Sequence, residues 1–344
     1  MKPNVAVEIH LIRSRHQRNS DLDLAYDLRI GTGGYGDVWM TLLALFSASK
    51  MLNTRFHVNV ATDLADAAAT VFGERLLITT KEVPSWIFTW RGARQLLPDM
   101  IKGSRFVMPF YRIIRNDRNS FLLREYLNDV TINLLVRKGW LQVPLAGTEK
   151  WYIGHAAISW LLHQNNIGKL EFYAQASLDL KIIQGITGRL ISPRRHAYNI
   201  AVFPSVSTHQ YMPVWWATKT LPNATFFFHI HDRTFTEYKL ANLNVERFES
   251  PYDVLQIARS SKQIIATDSF PWHLVQCVVC NAMIILTQQP RSRVVHPGFE
   301  GAVVQSEMDC CPCINRSRET NCASGRKECG SWMSNAIEVV TWLN

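Results

Sequence analysis

The sequence has no stretch of about 18 uninterrupted apolar residues, the length that a membrane-spanning helix needs. Its first twenty residues include four basic side chains but no apolar core of the kind found in a secretory signal peptide. These two absences argue against an integral membrane helix and a conventional leader. We therefore expect a cytoplasmic protein, or one bound peripherally at the inner face of the cytoplasmic membrane.

Charged residues are also scarce, at 19% of the chain, whereas apolar residues make up 47%. This composition is typical of a folded globular protein and excludes a disordered one. Repeats of fixed period and low-complexity tracts are absent as well. Because 344 residues exceed what one hydrophobic core usually supports, we expect two domains.

The net charge of +9 is unevenly distributed, because residues 196–344 carry equal numbers of basic and acidic side chains. The whole basic excess therefore lies in residues 1–195. Within them, Lys102 to Lys138 holds eight basic residues interleaved with aromatic ones. Such a surface suits an anionic partner, for example a phosphorylated lipid or a membrane face, and a merely solvated helix face is the alternative. No nucleic-acid partner is expected.

Strand and helix patterns alternate in two runs, which is typical of α/β domains with parallel sheets. The first run begins with a strand at Leu22–Ile30, a glycine-rich turn at Gly31–Gly36 and a helix at Asp37–Lys50, and continues with a second strand and helix up to Phe72. The second run contains these predicted strands and helices: Tyr198–Phe203, Met212–Thr220, Ala224–His229, Tyr252–Ser261, Gln263–Thr267, Trp272–Val279 and Ala282–Thr287.

A break at Pro193 separates the two runs. We therefore predict an N-terminal α/β domain over 1–193 and a C-terminal α/β domain over 194–344. The second domain includes a cysteine-rich loop at 309–330 and a short terminal helix.

The turn Gly31–Gly36 matches G-x-G-x-x-G, a pattern in which glycines allow backbone N–H groups to approach phosphate at a helix N-terminus. A protein kinase is excluded because the chain lacks the matching lysine, H-R-D and D-F-G motifs. A dinucleotide site remains open, with Asp63 as the acid that would bind the ribose. A third interpretation takes Gly36-Asp37-x-x-x-Thr41 as the operative motif.

Two motifs carry a resemblance to a known family. Gly36-Asp37-Val38-Trp39-Met40-Thr41 is similar to a G-D-x-x-x-T stretch, and Asp268-Ser269-Phe270-Pro271-Trp272-His273-Leu274 is similar to D-S-G-x-x-H-L. Both occur in glycosyltransferase family 9, the ADP-heptose:lipopolysaccharide heptosyltransferases, which includes autotransporter heptosyltransferases. The resemblance implies a GT-B fold, with two α/β Rossmann-like domains facing a central cleft. The domain over 1–193 would then lie on the acceptor side, and the domain over 194–344 would bind the nucleotide sugar.

The resemblance also implies roles for single residues. Asp37 would be the general base that takes the proton from the acceptor hydroxyl. The residues that would bind the donor are Gly36, Ser205, Thr208, Asp268, Ser269 and His273. Ordinary structural roles remain open for three of these: Asp37 or Ser269 as a helix cap, and His273 as a satisfied core histidine.

The chain departs from the family pattern at two places. Phe270 stands where the family has glycine, which puts the close approach of phosphate in doubt. No lysine precedes Trp215 where the family has one for the donor phosphate, and Lys219 is a poor substitute by position. A transfer-deficient nucleotide-sugar-binding protein is therefore an alternative, and an NAD-dependent oxidoreductase is a more distant one.

Five of the seven cysteines fall between Cys310 and Cys329. Leaving out Cys311, they follow the order Cys310, Cys313, Cys322 and Cys329, a spacing that can complete a tetrahedral thiolate site. Such a site selects structural zinc or iron, and the sequence does not choose between them. We expect no catalytic metal.

Taken together, the sequence predicts transfer of a sugar, with heptose implied by the family, from an ADP-sugar donor. The acceptor would be an anionic lipopolysaccharide core or a cell-surface protein, reached through peripheral contact with the inner membrane. His229, His231 and Asp232 follow a strand at the level of the nucleotide base, and cleft-lining side chains are a better interpretation of them than metal ligands.

Overall fold

The computed structural model describes residues 5–10, 26–33, 35–80, 105–107, 141–142, 151–205, 211–286, 289–305 and 339–343, with only the backbone at 5–10, 26–33, 105–107 and 141–142. The chain divides into two compact units, Met1–Asp179 and Leu180–Asn344. The division falls inside a long helix that ends just before Pro193. No helix in the described ranges is both long enough and apolar enough to cross a membrane.

The first unit is built on one sheet whose strands are parallel except for the first. Its elements are β1 (Val5–His10), β2 (Tyr26–Gly33), α1 (Tyr35–Met51), β3 (Phe56–Val60), α2 (Thr62–Phe72), β4 (Leu76–Thr80), β5 (Arg105–Val107), β6 (Leu141–Gln142), α3 (Ile153–Ala157), α4 (Ser159–Gln164) and α5 (Lys169–Leu190), which continues into the second unit. The strand order is β4-β3-β1-β2-β5-β6, with a short direct β3–β2 pairing.

β1 was not predicted, and it pairs antiparallel with both β2 and β3. Without it, the parallel strands lie in the order third, second, first, fourth, fifth, which is the Rossmann order. The prediction of a turn over Gly31–Gly36 was wrong in its first half. β2 runs on through Gly33, so Gly31 and Gly33 lie in a strand, and α1 begins at Tyr35.

α1 forms the core of the first unit because it is buried on nearly every side. The Trp39 ring packs 5.0 Å from the ring of Phe72 on α2. On another side, Gly154 of α3 lies so close to α1 that an added Cβ would stand 1.9 Å from the Met40 carbonyl oxygen. The second turn of α1 is therefore fixed by its packing.

The second unit contains a sheet of six strands, all parallel. Its elements are β7 (Tyr198–Phe203), α6 (Val214–Thr220), β8 (Thr225–His229), α7 (Thr234–Leu240), β9 (Asn244–Phe248), α8 (Pro251–Arg259), β10 (Ser261–Thr267), α9 (Phe270–Val275), β11 (Asn281–Leu286), α10 (Arg291–Val294) and β12 (Ala302–Gln305). The order β12-β11-β10-β7-β8-β9 is again the Rossmann order, 3-2-1-4-5-6 read from β9.

All seven elements predicted for this unit are confirmed, with shifts of one to four residues at some ends. The central strands are largely apolar because helices cover both faces of a parallel sheet. Phe226 and Phe228 pack with Trp216 and Tyr238 in one core cluster, and Phe227 is buried as well. Two helices, α7 and α10, and two strands, β9 and β12, were not predicted.

An ion pair in the first unit yields a stability prediction. The Lys50 ammonium lies 2.5 Å from a carboxylate oxygen of Asp179, whose side chain is fully buried. The Gln175 amide donates to the same oxygen at 2.9 Å. We expect Lys50→Met to lower the free energy of unfolding by about 3 kcal/mol, because it leaves a buried carboxylate without its counter-charge.

Urea unfolding of the two proteins measures this difference. The matched control is Lys181→Met, because Lys181 forms its ion pair with Glu300 at the surface, with both side chains largely exposed. Exposed pairs contribute less than about 1 kcal/mol. Equal losses in the two variants would contradict the special role of the buried pair.

Candidate functional site

The strand order of each sheet locates one edge at which a ligand can bind. In a Rossmann sheet the connections leave in opposite directions from the two central strands, and a crevice opens outside their carboxyl ends. In the first unit these strands are β2 and β5, and in the second they are β7 and β10. The residues that follow β2, β7 and β10 are therefore the site candidates, and the predicted motifs lie there.

Asp37 is the third residue of α1, directly after the carboxyl end of β2. It cannot be the N-cap residue, which precedes the helix, so simple capping of that kind is excluded. Gly36 beside it is buried, and the Asp37 side chain is partly exposed. The Thr41 hydroxyl donates to the Asp37 main-chain carbonyl at 2.8 Å. A carboxylate in the first helical turn is stabilised by the helix dipole.

Tyr35 and Asp63 connect the first turns of α1 and α2. The Tyr35 hydroxyl donates to the Asp63 carboxylate at 2.9 Å. Burial, together with this bond and the negative charge of Asp63, raises the pKa of Tyr35 to about 12. The acid proposed for ribose binding in the dinucleotide interpretation is therefore engaged by a tyrosine from α1. This pair was not predicted from the sequence.

In the second unit, Thr267 joins the ends of the two central strands. It is the last residue of β10 and is completely buried. Its hydroxyl lies 3.1 Å from the Phe203 carbonyl oxygen and 3.0 Å from that of Ser205, which follows β7. One side chain from β10 therefore holds the chain as it leaves β7.

Ser205 extends this connection to the next strand. Its hydroxyl donates to Asp232, which follows β8. The other carboxylate oxygen of Asp232 accepts from the Thr234 amide at 2.9 Å and from the Thr234 hydroxyl at 2.7 Å, at the start of α7. We call Thr267, Ser205, Asp232 and Thr234 the switch-point junction. It links the loops that follow three neighbouring strands.

Asp268 and Ser269 follow β10 directly, and both are partly exposed. Ser269 is the N-cap residue of α9 by position, but its hydroxyl donates to the Thr267 carbonyl at 3.3 Å instead of capping the helix. The structural alternative for Ser269 is therefore wrong in its usual form. Pro271 lies in the first turn and has no N–H, so this turn offers fewer donors to an anion than most helices do.

Phe270 is the first residue of α9 and has an ordinary helical backbone. In the described part of the chain, positive φ angles in non-glycine residues occur only at Asn53, Asn166 and Asn242. This position therefore does not need the conformational freedom of glycine here. The remaining obstacle to an approaching phosphate is the partly buried side chain.

His273 faces the interior of the second unit. It is 4% exposed, and its burial lowers its pKa to about 3. Its Nδ1 atom has no hydrogen-bond partner among the described residues. The structure therefore bears out the burial that the structural alternative requires, and the role of the ring stays a prediction. At neutral pH the imidazole is uncharged.

Two histidines and an arginine lie at the carboxyl ends of β8 and β9. The Nδ1 atom of His229 accepts from the His231 amide at 3.3 Å. Arg247 donates to the Ile230 carbonyl at 2.5 Å and packs over the Phe235 ring at 4.1 Å. In the part of the chain that the structure describes, no three His, Cys, Asp or Glu side chains could hold a metal ion.

Several predicted site residues lie outside the described residues. These are Thr208 and the cysteines Cys310, Cys313, Cys322 and Cys329. The basic stretch Lys102–Lys138 is also outside them, except for the backbone of β5. Lys219 is exposed in the last turn of α6, at the opposite end of that helix from Ser205. Lys219 is therefore no substitute for the family lysine.

Three solved structures share this fold. A glycosyl transferase of family 9 from Veillonella parvula DSM 2008 matches with a TM-score of 0.57 and 11% identity, over 92% of this chain and 96% of that one. The E. coli ADP-heptose lps heptosyltransferase II has a TM-score of 0.51 and 14% identity, over 92% and 97%. E. coli heptosyltransferase WaaC with ADP has a TM-score of 0.51 and 11% identity, over 81% and 92%.

No family model and no curated protein matches the chain. At these identities the structural matches show a common fold. They confirm the predicted α/β architecture of the GT-B type, with one Rossmann-like sheet in each unit. The roles of the site residues stay predictions.

The buried state of His273 leads to a pH prediction. Because its pKa of about 3 in the folded chain lies below the ordinary 6.5, the unfolded chain binds more protons between these values. Stability is therefore lost as the pH falls from about 6.5 towards 3. We expect His273→Gln to reduce the slope of unfolding free energy against pH by up to about 1.4 kcal/mol per pH unit.

Urea unfolding at several pH values between about 4 and 7 measures the slope. Most of this range lies between the pKa of His273 in the folded chain and its ordinary value. His296 is the matched comparison, because burial lowers its pKa to about 3 as well. His296→Gln should reduce the slope to a similar extent, and the double variant should combine both reductions. An unchanged slope in His273→Gln would mean that this ring is protonated in the folded chain.

Proposed function

We propose that this chain is a glycosyltransferase that moves a sugar from an ADP-sugar to a hydroxyl group of a cell-surface acceptor. The observation that carries the proposal is the switch-point junction, which fixes the carboxyl ends of β7, β8 and β10. Asp268 and Ser269 stand on this fixed edge, and His273 follows one helical turn later. A nucleotide diphosphate is the ligand class that such a crevice accepts in Rossmann folds.

The similar structures support the choice of donor. One of them, WaaC, was solved with ADP, and another is named as an ADP-heptose lps heptosyltransferase. The D-S-x-x-x-H-L match at Asp268, Ser269 and His273 follows β10, and the carboxyl ends of the central strands are the edge at which Rossmann folds generally bind nucleotides. We therefore propose ADP-heptose as the donor.

The neutral state of His273 defines what it contributes to donor binding. An uncharged imidazole can donate or accept one hydrogen bond, but it offers no positive charge to a diphosphate. Binding of the diphosphate would raise the pKa of His273, because a nearby negative charge favours the protonated ring. Binding of the donor would then favour a positive charge on His273, and this charge would partly neutralise the diphosphate.

Asp37 is proposed as the general base. Its carboxylate would take the proton from the acceptor hydroxyl as the oxygen forms a bond to the anomeric carbon of the sugar and the bond from that carbon to the diphosphate breaks. One base and a single displacement give inversion at the anomeric carbon. The packing of α1 against α3 at Met40 fixes the helical turn that directly follows Asp37.

The acceptor is proposed to be an anionic lipopolysaccharide core, with a protein as the second candidate. The basic excess in the first half of the chain favours an anionic acceptor and a peripheral position at the inner face of the cytoplasmic membrane.

We also propose a structural zinc or iron at Cys310, Cys313, Cys322 and Cys329. Elemental analysis of the purified protein, with close to one metal per chain expected, tests this part.

A transfer-deficient nucleotide-sugar-binding protein is the second candidate, and Phe270 and Pro271 favour it. A side chain and a missing N–H at the start of α9 both weaken the contact with phosphate. An NAD-dependent oxidoreductase is disfavoured, because Gly31 and Gly33 belong to β2 and Asp63 is bound by Tyr35.

Calorimetric titration with ADP, UDP, GDP and NAD tests the donor site. We expect selective binding of ADP, and we expect Asp268→Ala and Ser269→Ala each to weaken it by about tenfold, because each removes a polar contact with the ligand. Ser250→Ala is the matched control, because Ser250 caps a different helix of the same unit. Binding of NAD alone, or of no nucleotide, would refute the proposal.

Incorporation of labelled sugar into acceptor tests the base. We expect Asp37→Ala to lower kcat by a factor on the order of 10² to 10⁴ while the affinity for ADP stays unchanged, because only the proton transfer is lost. Asp66→Ala is the control, since Asp66 is an exposed aspartate of the same unit on α2. Full turnover by Asp37→Ala would remove Asp37 from the mechanism, and no turnover by the wild type would favour the transfer-deficient candidate.

A further inference from the structure

Helix α5 carries a row of apolar side chains that face solvent. Leu170 is 84% exposed, Leu178 is 60% exposed and Ile182 is 41% exposed. They are spaced by eight and four residues, with the exposed Ala174 between the first two, so they form one stripe along the helix. We call Leu170, Ala174, Leu178 and Ile182 the α5 stripe.

This stripe is not the face that holds the helix to the protein. Phe172, Ala176, Leu180 and Ile183 make up a second apolar face, and all four are buried. This buried face attaches α5 to the rest of the protein, so the α5 stripe is not needed for that packing. A solvent-exposed row of large apolar residues on top of that is typical of a surface that binds something.

The charges and rings around the stripe indicate what it binds. The exposed cations of α5 are Lys169, Lys181 and Arg189, against one exposed acid, Glu171, because Asp179 is buried with Lys50. This gives three positive charges to one negative. Lys181 also pairs with the exposed Glu300 at 2.8 Å, and such a surface pair is weak enough to exchange for another anion.

The start of the helix adds two aromatic rings. The Lys169 ammonium lies 5.2 Å from the ring centroids of both Trp151 and Tyr173. Both rings are partly exposed, and Leu170 stands next to this group. Tryptophan, tyrosine and lysine beside an exposed leucine are the side chains that prefer the boundary between lipid headgroups and acyl chains.

We propose that α5 lies flat on an anionic lipid bilayer, with the α5 stripe inserted between the headgroups and Lys169, Lys181 and Arg189 bound to lipid phosphates. A second copy of the chain fits less well, because a two-fold contact through α5 would bring these three cations close to their own counterparts. The net charge of +9 acts in the same direction. The proposed function enters only as the reason for binding a membrane, since a lipopolysaccharide acceptor would be located there.

Co-sedimentation with vesicles tests it, without donor or acceptor present. The vesicles contain either phosphatidylcholine alone or phosphatidylcholine mixed with phosphatidylglycerol. We expect the full-length chain to bind the anionic vesicles and to be released by salt, since screening weakens the attraction. The triple variant Leu170→Ser, Leu178→Ser and Ile182→Ser should bind at least about tenfold more weakly.

The matched control is Leu240→Ser, because Leu240 is 79% exposed on α7 and lies apart from the stripe. It should bind the anionic vesicles as the wild type does. Lys181→Gln combined with Arg189→Gln should weaken binding to the anionic vesicles and leave any binding to phosphatidylcholine unchanged.

Three results would overturn the proposal. The first is equal vesicle binding by the triple variant and the wild type, or no binding by either. The second is a much larger fall in Tm for the triple variant than for Leu240→Ser, which would mean that other parts of the chain cover the stripe. The third is a wild-type dimer that the triple variant converts to a monomer. A lack of vesicle binding would not contradict the proposed donor site, and a lack of ADP binding would not contradict the membrane proposal. The two proposals are therefore tested independently.

Discussion

The buried hydroxyl of Thr267 is the contact on which the second unit depends. In an all-parallel sheet, every strand ends at the same edge, and the chain must leave that edge without stranding its carbonyl groups. Thr267 is the last residue of β10, and its hydroxyl proton is shared between the carbonyls of Phe203, the last residue of β7, and Ser205. Because β7 and β10 are neighbours from opposite halves of the sheet, this bond fixes the crevice that separates the two directions of winding.

The elements of the second unit could be predicted from the sequence because its strands are apolar runs punctuated by turn residues. β9 was missed because an edge strand is solvated on one side, and Asn244–Phe248 contains Asn, Glu and Arg. α7 has only seven residues, too few for a clear helical period. β1 was missed although Val5, Val7 and Ile9 alternate, because its place in the sheet is set by pairing with strands far along the chain.

The candidate site divides in the same way. The place of Asp37 in a first helical turn and that of Ser269 before a helix follow from local pattern, and both were predicted. The bonds from Ser205 to Asp232 and from Tyr35 to Asp63 join residues that are distant in sequence, so no local rule gives them. The uncharged state of His273 depends on how completely the fold buries the ring, and the spacing of residues in the sequence does not predict that burial. Phe270 seemed a greater obstacle in the sequence than in the fold, because its helical backbone suits any residue.

Asp232 uses both carboxylate oxygens, one for Ser205 and the other for Thr234. The residue that follows β7 and the start of α7 are therefore both held by the same carboxylate after β8. In evolutionary terms, neither the loop after β7 nor the loop after β8 is an independent module. A change of residue at Ser205 strands an oxygen of Asp232, and a change at Asp232 releases both Ser205 and the start of α7. Descendants of this chain that acquire a new ligand should therefore alter these positions together, and the pair should be inherited as a unit.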